Sequence, residues 1–209
     1  MGEAKQRARR EAAQRARFDF VDFARVAAAV RAHITLANVG SGSDALAHAN
    51  LARHLLQRAE LESEVVVGFA AWRVGPGVAD VVAYGGGRDP AADAERSRED
   101  DSPHHVWLET GGHVFDVATY QLARKAAEFD RQHGKSTSVT WCPDFVLAPK
   151  ASLASFARVR QEVVGLMYYE RDAYLQTLVC ASAGEPDAHQ VDCLERIYRE
   201  LAIERGADA

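Results

Sequence analysis

The pattern of apolar and polar positions runs from helices through strands and back to helices. Phe20, Phe23, Ala27, Val30 and Ile34 recur at helical spacing, which predicts an amphipathic helix over residues 18–34 with these side chains buried. Val39-Gly40-Ser41-Gly42-Ser43 breaks that period, and Ser43 or Asp44 is placed to cap a second helix running to about Glu60. Its apolar side holds Ala45, Leu46, Ala49, Ala52, Leu55, Leu56 and Ala59, small enough for a close neighbour. Val65 to Trp72 is a continuous β-branched and aromatic run, the signature of a buried strand. Gly75-Pro76-Gly77 is a turn, and Asp80 to Tyr84 a second strand.

Gly85-Gly86-Gly87 then opens a polar loop up to Pro103. It carries Asp89, Asp93, Glu95, Glu99, Asp100 and Asp101 against three arginines, and predicts a mobile acidic flap. His104-His105-Val106-Trp107-Leu108-Glu109-Thr110 and His113-Val114-Phe115-Asp116-Val117 flank Gly111-Gly112, the pattern of a two-stranded hairpin. Thr119 can cap a helix from about Tyr120 to Gln132, ended by Gly134. Val139-Thr140-Trp141 is strand-like, residues 151–161 read as helix, residues 162–169 as a last strand, and 171–182 and 187–205 as two closing helices.

Composition narrows the class. The 209 residues are 47% hydrophobic and 26% charged, which suits one sizeable globular domain. The net charge of −5 gives no global pull toward nucleic acid or anionic lipid, and no apolar run approaches a membrane span or a secretory leader. Residues 1–17 depart from this balance: Lys5, Arg7, Arg9, Arg10, Arg15 and Arg17 face only Glu3 and Glu11. That segment reads as a basic helical arm before a single domain over 18–209, and it lacks the interleaved aromatics that stack on bases. Cys142, Cys180 and Cys193 are odd in number and have no CxxC spacing, so free thiols in a cytoplasmic setting are the simplest reading.

The hairpin carries the candidate chemistry. A histidine near the start of one strand and an aspartate near the end of its partner can meet across a ladder, and an Asp that orients a His is two thirds of a catalytic triad. His105 is preferred over His104 because it stands two before Trp107, and Asp116 is its partner. Ser43 is a candidate nucleophile as well as a candidate helix cap, and His48, one turn beyond Asp44, shares a helix face with Ala45. Cys142 can reach the histidine from another direction, since triads recur in different chain orders. A metal set of His48, His105, His113 and Asp116 is chemically conceivable but lacks a recognised ligand spacing, so no cofactor is expected.

These pieces resemble the transglutaminase-like and papain-like thiol enzymes. His105-Val106-Trp107-Leu108-Glu109 is similar to their His-x-Trp-x-Glu strand, and Val114-Phe115-Asp116 with Thr119 to their apolar-apolar-Asp strand. Leu51 to Leu61 followed by Val65 to Gly68 is similar to their helix running into a Val-rich strand. The resemblance covers roughly residues 40–120 and implies an α+β fold: an antiparallel sheet with a packed core helix, here with extra N- and C-terminal helices. It also implies a cysteine at the helix start, activated by the histidine and the helix dipole. In this chain that position falls on Ala45. The expectation is a degenerate, cofactor-free protein whose pocket, with Ala45, His48 and Trp107 in its lining, takes a small-molecule or peptide ligand. The alternative is an acyl-transfer or amide-hydrolysing enzyme using His105 and Asp116 with a nonstandard nucleophile such as Ser43. Substrate and oligomeric state are not legible in the sequence.

Overall fold

The computed structural model describes residues 2–37, 44–85, 104–182 and 186–207. Ser43 and the expected acidic flap beyond Gly85 lie outside these residues. Among them, no helix is long and apolar enough to cross a membrane.

The architecture is α+β, and its hub is strand β1 (Glu64–Arg73). Gly68 pairs with His105 of β3 (His105–Thr110) and with Arg171 of β6 (Met167–Arg171), so these strands occupy opposite edges of β1. Ala70 to Trp72 pair with β6 and also with β2 (Val81–Tyr84). Strands β2 and β3 therefore follow one another along one edge. β4 (His113–Asp116) adds to β3, and β5 (Val146–Pro149) adds to β4; every pairing is antiparallel.

Both faces of β1 are buried, which is why its sequence is a continuous apolar run. Val65, Val67 and Phe69 point into the larger core, with Val106, Leu108 and Phe115 from the neighbouring strands. Helices α2 (Phe23–Leu36) and α3 (Asp44–Arg58) close this face, with α6 (Ala173–Ser182) and α7 (Ala188–Ala207) also contributing. Ala27, Ala29, Ala49 and Ala52 are all buried there, as their small size implies. Val66, Ala70 and Trp72 point to the opposite face, where Leu122 and Ala126 of α4 (Leu122–His133) cover part of it.

Several elements differ from the sequence reading, each for a local reason. The N-terminal helix α1 (Gly2–Phe20) absorbs the first positions of the predicted 18–34 helix. Asp22 then caps α2, its carboxylate accepting from Arg25 N at 2.9 Å. The restart breaks the helical phase, so Phe20 is 91% exposed instead of buried. Val139 to Trp141 do not form a strand; Thr140 N and Trp141 N both donate to Val74 O, at 2.8 and 2.9 Å, and the strand is β5 further on. The stretch read as helix over 151–161 is a 3-10 turn at Lys150–Ser152 followed by α5 (Phe156–Gln161). A 3-10 turn at Thr119–Gln121 precedes α4, which has no side-chain cap, while Gly134 closes α4 in the left-handed conformation at φ 62°.

Candidate functional site

The hairpin turn places the site. Gly111 and Gly112 both have positive φ, 54° and 78°, which a two-residue loop of type I′ requires. The resulting register sets Leu108 opposite Phe115 and Glu109 opposite Val114. Continuing it puts Asp116 beside Trp107 and one diagonal step from His105, on the same sheet face. A diagonal neighbour is within reach of a long side chain. His105 Nε2–H donates to Asp116 Oδ2 at 2.7 Å, and both residues are 1% exposed.

The surroundings decide protonation. Asp116 Oδ1 accepts the backbone N–H of Ala118 at 2.9 Å, and Oδ2 also accepts the Tyr169 hydroxyl at 2.9 Å. Burial opposes the charge of Asp116, but His105, the nearby Lys125 ammonium and the Ala118 N–H together outweigh it and hold the carboxyl below its ordinary range. For His105 burial is the largest influence and lowers its pKa, with Lys125 and His104 adding to it against the pull of Asp116. The pair is therefore an ionised carboxylate and a neutral imidazole. Because Nε2 carries the proton that Asp116 accepts, Nδ1 is a lone-pair acceptor. Nδ1 is buried and has no hydrogen-bond partner among the described residues.

An aromatic box encloses the ring. Trp72 meets it edge-on at 4.9 Å, Tyr84 stacks at 5.5 Å, and Trp107 and Tyr169 lie at 6.4 Å. Gly68, opposite His105 in the ladder, has no side chain to crowd this face; a Cβ there would collide with the Glu170 carbonyl and lie 2.9 Å from Asp172 N. Lys125 of α4 is buried with its Nζ 5.0 Å from the centre of the Tyr84 ring. Burial raises the pKa of both tyrosines, so their hydroxyls keep their protons at neutral pH.

The other sequence candidates fall as follows. Ala45 is half-buried in the first turn of α3 and packs against the larger core, on the α2 and α3 side of the sheet. His48 is fully buried, with Nε2 2.9 Å from the Tyr120 hydroxyl and 3.1 Å from Gln121 Nε2. Arg124 donates to Gln121 Oε1, which turns the amide nitrogen toward His48. This polar cluster ties α3 to the turn that follows Asp116. Trp107 is 1% exposed, with its indole N–H unpartnered among the described residues. His113 stacks on Phe18 at 4.6 Å and donates from Nδ1 to Gly111 O at 2.9 Å, away from the pair. The exposed Cys142 thiol faces the carbonyls of Thr119 and Tyr120 at 3.5 and 3.3 Å, not the imidazole. No group of three or more His, Cys, Asp or Glu among the described residues is placed to hold a metal ion, so the conceivable metal set is not assembled.

Four residues of this site were not singled out from sequence: Trp72, Tyr84, Lys125 and Tyr169. A lysine within the apolar stripe Leu122, Lys125, Ala126 and Phe129 was the one available signal.

No protein-family model matches the chain, and no curated protein matches it either. A solved structure described as "genomics APC5867" shares the fold, with a TM-score of 0.57 at 15% sequence identity; the match covers 85% of this chain and 77% of that one.

Proposed function

We propose that this chain is a transglutaminase-like protein without the thiol nucleophile, which retains the base and its orienting carboxylate as part of a pocket used for binding. The observation that carries this reading is the 2.7 Å hydrogen bond from His105 Nε2 to Asp116, with Nδ1 left as a buried acceptor. That polarity is the one a general base needs, with one nitrogen oriented by a carboxylate and the other open to a proton. Helix α3 carries Ala45, not a cysteine, in its first turn. Residue types favour a neutral ligand or peptide group that donates to Nδ1 over a metal or a nucleic acid. Three free cysteines suit a reducing compartment such as the cytoplasm.

Ala45 packs on the face of the sheet opposite to His105, so a thiol at that position does not meet the imidazole and the test follows the ring itself. In protein labelled with 15N-histidine, Nδ1 of His105 is expected to be unprotonated at neutral pH and to shift when small amides or short peptides are added. Asp116→Asn should abolish that response. A ring protonated at Nδ1, or one that answers no amide or peptide, would remove the site reading.

The neutral state of His105 favours a second reading, in which Nδ1 takes a proton from a water or hydroxyl nucleophile. Labelling by a serine-directed fluorophosphonate, lost in Ser43→Ala, would support acyl-transfer or amide-hydrolysing activity.

A further inference from the structure

Trp72, Tyr169, Asp116 and His105 form a chain in which chemistry forces the direction of every proton. An indole N–H only donates and an ionised carboxylate only accepts. Tyr169 therefore accepts from Trp72 Nε1 at 2.8 Å and must donate its own O–H to Asp116 Oδ2 at 2.9 Å. The same Oδ2 accepts from His105 Nε2 at 2.7 Å, while Oδ1 is engaged by the Ala118 N–H. Two donors thus share one carboxylate oxygen. Accepting from Trp72 polarises the Tyr169 hydroxyl and makes it a stronger donor.

The fold supplies the reach. Tyr169 on β6 and Tyr84 on β2 both pair with Ala70 of β1, from opposite edges. The small side chain of Ala70, fully buried between them, leaves both phenol rings room to lean toward the imidazole. Tyr169 lies well beyond the stretch that resembles the thiol enzymes.

We propose that Tyr169, held by Trp72, is a positioning residue for the His105–Asp116 pair: by competing for Oδ2 it limits how strongly the carboxylate holds the imidazole, and so keeps Nδ1 an unprotonated acceptor. The use of that acceptor rests on the site reading above; the hydrogen-bond geometry does not. An Oδ2 that accepted from His105 alone would favour the imidazolium, and an imidazolium has no lone pair to offer.

The experiment follows the His105 Nε2–H proton and the ring nitrogens by NMR in protein labelled with 15N-histidine. In Tyr169→Phe the competitor is gone, so the Nε2–H resonance moves downfield and the pKa of His105 rises by about half a unit or more. Site-specific 3,5-difluorotyrosine at position 169 makes the hydroxyl a stronger donor and moves the resonance upfield. Opposite shifts in the two proteins support the proposal; a residue that only fills space would give no such sign reversal. No shift in either, or shifts in the same direction, would overturn it. If Tyr169→Phe fails to fold, the difluorotyrosine protein decides alone. The response of Nδ1 to added amides and peptides is read separately. Opposite shifts together with an Nδ1 that answers none of them would uphold the role of Tyr169 and remove the site reading, and the reverse pair of results would do the opposite.

Discussion

Replacing Asp116 by Leu tests the buried pair directly. Leucine keeps the branched shape of the aspartate at a larger volume, and it accepts no hydrogen bond. Three donors lose their partner at once: His105 Nε2–H, the Tyr169 hydroxyl and the Ala118 N–H. Each orphaned buried donor costs about 1–3 kcal/mol, and the three together about 3–5 kcal/mol, toward the lower end of their sum because the site can relax. The pair is 1% exposed on both sides, so water cannot make up the loss. Against a total stability of about 5–15 kcal/mol this is a large fraction. For a chain of this length it corresponds to a fall in Tm of roughly 6–20 °C. Urea unfolding followed by circular dichroism measures it, with the double variant His105→Phe/Asp116→Leu as control. The double variant removes one orphan and should be more stable than Asp116→Leu alone by about 1 kcal/mol or more. A loss below about 1 kcal/mol in Asp116→Leu, or a double variant no more stable than the single, would refute the reasoning.

Further outcomes follow from the same structure. His33, buried between α2 and α7 near His189 and Asp187, has its pKa lowered by burial first and by His189 second, against Asp187. His33 and His105 therefore bind protons more readily in the unfolded chain; their contribution is complete above the unfolded value of about 6.5 and is lost as pH falls toward the folded values. Urea midpoints measured from pH 8 to pH 5 should fall with pH, and His33→Leu should flatten the slope by up to about 1.4 kcal/mol per pH unit. Asp116, with its lowered folded pKa, adds a further loss only at lower pH, below its unfolded value of about 3.9. Gly111→Ala should cost more than Gly112→Ala in thermal melts: both require positive φ, but only the first places a Cβ 2.6 Å from Phe18 Cδ2. Asp22→Ala removes the α2 cap and should cost about 1 kcal/mol in the same melts.

Much of the fold is readable in the sequence because its signals are local. The Gly111-Gly112 turn fixes its own register, and that register alone carries His105 and Asp116 to one face. β1 announces burial on both faces by its unbroken apolar run. Elements failed where one local hydrogen-bonding contact outweighed periodicity. Asp22 restarted a helix inside an otherwise continuous helical pattern, and the backbone of Val74 captured Thr140 and Trp141 before they could pair as a strand.

The partners of the site are a different case, because nothing local encodes them. Tyr169 becomes a ligand of Asp116 only through two successive registers, β4 on β3 and β3 on β1, together with β6 on the far edge of β1. A one-residue slip of β6 would turn Tyr169 to the other face and bring Tyr168 or Glu170 in its place. Replacement by Glu170 would set a second carboxylate against Asp116, and like charges in a buried site drive one of them to take a proton. The hydroxyl at position 169 thus matters to the imidazole only because the sheet has one register, and the Arg171–Glu64 pair beside it, with both nitrogens at 2.7 Å from the two carboxylate oxygens, helps hold that register at the strand end. Arg171→Ala should therefore weaken the Tyr169–Asp116 bond without touching either residue, and the His105 Nε2–H resonance should move in the same direction as in Tyr169→Phe, by less. A resonance unchanged in Arg171→Ala would mean that the core packing of Tyr169 against Trp72 and Trp107 holds the register without help from the surface pair.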